Sequence, residues 1–260
     1  MYYEKREYVG DRIYVTKTYN SGNINAHGLS GRKKSTKEMS EAQRKYNEKL
    51  RIKKLYFLLY LNFSGGDLNI TLHYPRGMCP ADEKKANANM SAMLKGLKRT
   101  HKDMKYIYCT HTTDRGSIHH HLIITKDVRQ HEIEAAWEAV IENGKLSAGH
   151  TLYSDKETYK KLASYLIADD KHEAHKKSGR AFTGSRNLVK PQADVREVKA
   201  KAWRKEPKAP DGYRVSELVN TKDIYGFPYQ YYVLVPDTGD SGYDSGGHGL
   251  LGQQHFQASS

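Results

Sequence analysis

Residues 104–125 restrict the fold of this chain more than any other stretch. Met104–Thr113 and Ile118–Thr125 are runs rich in β-branched and aromatic residues, separated by the turn-forming Asp114-Arg115-Gly116-Ser117, so the segment reads as a β-hairpin. A turn centred near Arg115 sets residue 111 opposite residue 119. Side chains alternate across a strand, so His119 and His121 project to one face, about 7 Å apart along it, and His120 projects to the other. His111 joins the first pair from the facing strand. Three imidazoles on one face form a ligand set for a divalent metal that leaves positions open for water or substrate. Imidazole suits Mn, Zn, Ni or Co better than Mg, and the sequence does not choose among them. The competing reading is a surface strand whose histidines bind nothing specific, and spacing alone does not separate the two. His120 shares its face with Ile118, Leu122 and Ile124 and reads as a packed histidine.

Around the hairpin the hydrophobic periods give an order β-α-β-β-α-β-α. Leu68, Ile70 and Leu72 alternate with polar residues as a half-buried strand after the Gly65-Gly66 turn. Met90, Met93, Leu94 and Leu97 form one apolar stripe on a helix over 81–99. Ile133, Trp137, Val140 and Ile141 mark another helix. A short strand over 149–153 precedes a helix capped by Ser154 and running to Ala168. This order predicts an α+β fold, an antiparallel sheet with helices packed on one face. Upstream, residues 8–15 read as a strand or hairpin and Asn20–Gly31 as a flexible loop. Ser35 with Glu38 is a capping-box pattern opening a basic helix that ends near Leu61. The segments expected are therefore 1–61 (strand, loop and basic helix), 62–170 (core), 171–235 (basic extension, with short apolar pieces near Val195, Trp203 and 229–235) and 236–260 (disordered tail, six glycines and no Lys or Arg).

Charge narrows the partner. The 260 residues carry 43 Lys and Arg against 30 Asp and Glu, a net +13, and the excess is clustered. Residues 31–54 hold ten basic residues against three acidic, and 171–208 hold twelve against four. Clusters of this kind favour a polyanion through phosphate contacts and counterion release, which makes nucleic acid the leading partner. The candidates for phosphate contact are Arg32, Lys33, Lys34, Arg44, Lys45, Arg51, Arg115, Arg186 and Lys190. The longest apolar run, Leu55–Leu61, is too short to cross a bilayer, and the amino end lacks the apolar stretch of a signal peptide, so the expectation is a cytoplasmic protein without membrane contact. Cys79 and Cys109 are too few for a disulfide framework and are expected as packed thiols. No G-x-x-x-x-G-K-[ST] loop is present, so strand separation would fall to a separate host helicase.

Among twenty tyrosines, Tyr159 and Tyr165 lie on the helix after the metal hairpin, six residues apart and thus rotated about 240° from each other. They cannot both face one site. At this point the chain resembles the HUH endonuclease superfamily, in particular the rolling-circle replication initiators of phages, plasmids and integrative elements. Leu68–Tyr74 resembles their first strand motif, Ile118–Ile123 their metal-binding motif and Leu162–Leu166 their tyrosine helix, in that order; Ser185–Pro191 is similar to a segment that follows the tyrosine helix in related proteins. The resemblance spans roughly residues 36–235. It implies metal ligation by His119 and His121, and Tyr165 as the nucleophile that cuts single-stranded DNA to leave a 5′-phosphotyrosine and a free 3′-hydroxyl.

Two positions depart from the pattern. Relatives often place Glu where His111 stands, and a Lys three residues after the tyrosine, where this chain has Ala168. Lys171 and Lys161 are the candidates to supply that charge. The expected protein is thus a ferredoxin-like α+β domain with basic flanks that nicks and rejoins origin DNA with a divalent metal, Mn or Mg first and Zn, Ni or Co as alternatives. Relaxases and single-tyrosine transposases share this chemistry. A non-catalytic nucleic-acid-binding protein and a water-using metal hydrolase are the readings from other classes.

Overall fold

The computed structural model describes residues 1–19, 40–113, 115–147, 149–168, 181–199, 203–223 and 226–237. The loop expected at 20–31, the capping pattern at Ser35 and residues 238–260 of the expected tail lie outside them.

The hairpin expected at the centre of the chain forms as β4 (Tyr106–Thr112) and β5 (Ile118–Ile124). It pairs with β3 (Leu68–His73) on the β5 side, and β3 in turn pairs with the two-residue strands β6 (Lys145–Leu146) and β7 (His150–Thr151). The two-residue β8 (Thr183–Gly184) closes the β4 side, giving the antiparallel order β6-β3-β5-β4-β8. Two helices follow their predicted stripes. In α2 (Glu83–Leu97), Asp82 accepts from the Lys85 amide and Met90, Met93, Leu94 and Leu97 are buried. In α3 (Gln130–Glu138), Ile133 and Trp137 are buried.

Helices cover both faces of this sheet, not one as expected. Ile70, Leu72, Tyr108, Leu122 and Ile124 pack against α2 and α3. Ile107, Cys109 and Ile123 point the other way, into a cluster with α1 (Glu41–Asn62) and α4 (Thr158–Ala168). The reason is visible in β5 itself. Leu122, Ile123 and Ile124 are all buried, and an unbroken apolar run marks a strand covered on both sides, whereas alternation marks one wet face.

The segment from Leu55 to Tyr60 of α1 is buried throughout because it lies between two sheets. The second sheet runs β10-β11-β2-β1-β9. Its centre is the amino-terminal hairpin β1 (Tyr2–Val9) and β2 (Arg12–Tyr19), and its flanks are β9 (Gln192–Val198), β10 (Tyr213–Lys222) and β11 (Pro228–Pro236). The two ends of the described chain therefore build one sheet. The β1–β2 turn requires glycine twice over: Gly10 has φ +61°, and a Cβ there would come within 2.9 Å of the Tyr60 ring. Pro236 closes β11, so the first residues assigned to the tail are ordered.

Helix starts differ from expectation for reasons of capping. α1 begins at Glu41 because the Ser40 side chain accepts from the Gln43 amide. α4 begins at Thr158, four residues after Ser154, since the Asp155 side chain takes the Glu157 amide and its carbonyl takes the Thr158 amide.

Candidate metal and nucleophile site

The β3–β5–β4 register assembles the site. His119 pairs with His111 on one side and His73 on the other, while His121 pairs with Cys109 and Thr71. Adjacent partners share a face, so His111, His119 and His121 converge on the side toward α4. Their ring centroids are 5.0–5.6 Å apart, and one nitrogen from each lies within 4.8 Å of the others. His111 and His121 are buried, and His119 is half-buried.

Hydrogen bonds fix which nitrogens face inward. The Leu166 carbonyl can only accept, so His111 Nε2 donates to it at 2.9 Å and His111 Nδ1 carries the lone pair. Leu166 is in the last turn of α4, where carbonyls have no intrahelical donor, and the histidine supplies one. Thr71 Oγ1 lies 3.1 Å from His121 Nδ1, leaving His121 Nε2 toward the cluster. Outer partners of this kind orient metal-binding histidines. Three imidazole nitrogens with fixed tautomers fit a divalent ion, since tetrahedral donors about 2.1 Å from one centre lie about 3.4 Å apart and small ring movements close that gap. The negative end of the α4 dipole also favours a cation there.

The two helix tyrosines separate cleanly. Tyr159 is buried and its hydroxyl donates to the Tyr153 carbonyl at 3.0 Å. Tyr165 is 55% exposed, with its ring centroid 5.7 Å from that of His121. Lys161, one helical turn before Tyr165, is exposed, and Lys171 lies outside the described residues.

The other candidates are dispersed. Arg115 is exposed on the β4–β5 turn, at the end of the hairpin nearest His111 and His119. Arg44 and Lys45 are exposed on the first half of α1, where Lys45 pairs with Glu41, and Arg51 is half-buried on the same helix. Arg186 and Lys190 are exposed after β8, and Ser185 is tied to Tyr106 at the opposite end of β4 from His111. Arg32, Lys33 and Lys34 lie outside the described residues. His150 is exposed on β7 opposite Asn69, away from the triad.

His120 is fully buried on the opposite face of β5. Thr110 Oγ1 donates to Asn87 Oδ1 at 2.8 Å and therefore accepts from His120 Nδ1 at 2.9 Å. His120 Nε2 then accepts from the Tyr74 hydroxyl at 3.0 Å, and that hydroxyl accepts from Asn89 at 3.3 Å. Burial, helped by the neighbouring histidines, pushes the His120 pKa down to about 3, so the ring is neutral across the physiological range. Thr71 and the Leu166 carbonyl went unnoticed in the sequence, because neither the β3 register nor the docking of α4 is written in local patterns. His73 extends the row beyond His119, with ring centroids 6.0 Å apart.

An antiparallel sheet presenting a histidine triad beside an exposed helix tyrosine defines the class of site from which metal-dependent nucleases are built. Residues 67–171, the stretch from the start of β3 through the tyrosine helix, match the family model of the Replication-associated protein ORF2, a family of rolling-circle replication initiators. That match meets the resemblance drawn from the motifs. No curated protein and no solved structure gives a significant match to the chain. No helix among the described residues is long and apolar enough to cross a membrane.

Proposed function

We propose that this chain initiates rolling-circle replication by nicking and rejoining single-stranded origin DNA through Tyr165, on a core of ferredoxin-like type. The observation that carries the reading is the placement of an exposed tyrosine against His121 while His111 holds the next residue's carbonyl, which ties the tyrosine helix to the ligand set. The Tyr165 oxygen attacks phosphorus, the P–O3′ bond breaks, and the 5′ side of the strand stays on the tyrosine. The phenol gives up one proton and the departing 3′-oxygen gains one, so the exchange is proton-neutral. A phosphodiester replaces a phosphodiester, and attack by a 3′-hydroxyl reverses the step without ATP. A divalent ion on His111, His119 and His121 would supply Lewis-acid polarisation of a non-bridging phosphate oxygen. Lys161 offers positive charge one turn from the phenol, and Arg115 offers it at the mouth of the hairpin. The basic excess supports DNA as the partner.

The test is incubation of the full chain with a randomised pool of single-stranded oligonucleotides and Mn²⁺. The expected result is a covalent protein–DNA adduct that maps by mass to the Tyr165 peptide and is lost in Tyr165→Phe. Cleavage without an adduct would mark a water-using hydrolase, and salt-sensitive retention without cleavage would mark a binding protein. Either outcome overturns the proposal.

A further inference from the structure

We infer that the chain has a second nucleic-acid contact, a groove between the carboxy-terminal half of α2 and the start of β4 that holds a nucleotide of single-stranded DNA outside the nicking site. This rests on the single-stranded DNA reading above and adds a binding surface on the opposite face of the central sheet. The groove has a volume of about 380 Å³, a size that suits a small ligand or one nucleotide. Lys95, Lys98 and Arg99 line it, all exposed, and no carboxylate does. Its floor is aromatic: the Tyr106 and Tyr108 rings lie 6.5 Å apart with planes at 25°, Tyr108 buried and Tyr106 half-exposed. A base laid on Tyr106 extends that stack by one ring while its phosphate faces the cations, the combination by which proteins hold single strands.

The end of a helix favours cations in any case, and that alone explains Lys95, Lys98 and Arg99. It does not explain Arg186. This residue comes from the segment after β8, is tied through Ser185 to the Tyr106 backbone, and acts electrostatically on the Tyr106 hydroxyl. A cation from a distant part of the chain thus converges on the same tyrosine. A groove of similar size, about 350 Å³, provides the contrast: it is lined by Glu134 and Glu138 with Lys145 and would repel a phosphate. The strand gives the groove its relation to the site, since Tyr106 and His111 lie on one strand and are separated by about 16 Å along it.

The experiment measures fluorescence anisotropy of a labelled oligodeoxythymidine with the full chain over a range of salt. The groove variant replaces Lys95, Lys98 and Arg99 by Ala; a control of equal charge replaces the exposed Lys84, Lys85 and Lys126. At about −0.7 per phosphate for single strands, the groove variant is expected to shallow the slope of log affinity against log salt by about 2 and to weaken binding by about tenfold or more at low salt. The control should do neither. Tyr106→Ala should weaken binding severalfold and Tyr106→Phe should restore it. Equal losses in groove and control variants overturn the inference, as does a Tyr106→Ala variant that binds like the parent. Duplex DNA competing as well as the single strand overturns the assignment of the occupant. Adduct formation at Tyr165 is scored separately: an adduct with an inert groove sinks this inference alone, and a functional groove without an adduct sinks the nicking reading alone.

Discussion

The two faces of β5 carry the same side chain to opposite fates. On one face His119 and His121 meet His111 in a cleft beside the exposed Tyr165, with one nitrogen of each ring turned toward the others. On the other face His120 has both ring nitrogens hydrogen-bonded in the α2 interior. A histidine becomes a candidate ligand when its neighbours fix one nitrogen and leave the second facing other donors. It becomes a structural residue when its neighbours occupy both.

Replacing residues on each face should separate chemistry from stability. The largest effect is expected for His119→Ala and His121→Ala, which should lower metal-dependent nicking by about a thousandfold or more, several kcal/mol of transition-state stabilisation, with little change in urea midpoint. Single-turnover adduct assays beside urea melts check both halves. His120→Ala should reverse the pattern. It leaves Thr110 and Tyr74 short of a buried partner and should cost about 2–4 kcal/mol of folding stability, read by urea denaturation.

Thr71→Val probes the join between the faces by removing the outer partner of His121. Metal affinity should fall about tenfold to a hundredfold, measured by calorimetry with Mn²⁺, while the fold persists. The smallest effect concerns pH. His120 is neutral in the folded chain to about pH 3 and takes a proton near pH 6.5 when unfolded, so the unfolded state binds more protons in that interval. Its contribution is present above about pH 6.5 and lost as pH falls toward about 3, at up to roughly 1.4 kcal/mol per pH unit. Urea melts across that range should show a steeper loss for the parent than for His120→Leu; equal slopes would contradict the burial of a neutral ring.

Much of the site was legible because a hairpin is a local object. The turn at Asp114–Ser117 fixed the register of His111 against His119, and the strand period separated His119 and His121 from His120. The choice between Tyr159 and Tyr165 was not local. Helix rotation showed that only one could face the site, and which one depended on how α4 docks, a matter of the contacts that bury Tyr159, Ala163 and Leu166 against α1. The second sheet was less visible still. Residues 8–15 and the apolar pieces near Val195 and 229–235 were recognisable as extended segments, but pairing between β1 and β9 joins residues some 190 positions apart, for which no short-range pattern speaks. Coverage of both sheet faces had a signal, the unbroken run Leu122-Ile123-Ile124, and it was outweighed by the alternation in Leu68–Leu72.

By itself the sequence determined the chemistry on offer: a basic chain, a hairpin bearing three same-face imidazoles, and a later helix with a tyrosine. Periodicity and turn residues act over a few positions, and these features need no more than that. Only the tertiary structure decided which tyrosine meets the histidines, which histidine is locked away, and how the chain ends close into one sheet. Those outcomes depend on long-range burial and on hydrogen bonds such as His111 to the Leu166 carbonyl, whose partners are brought together only when α4 packs against the sheet.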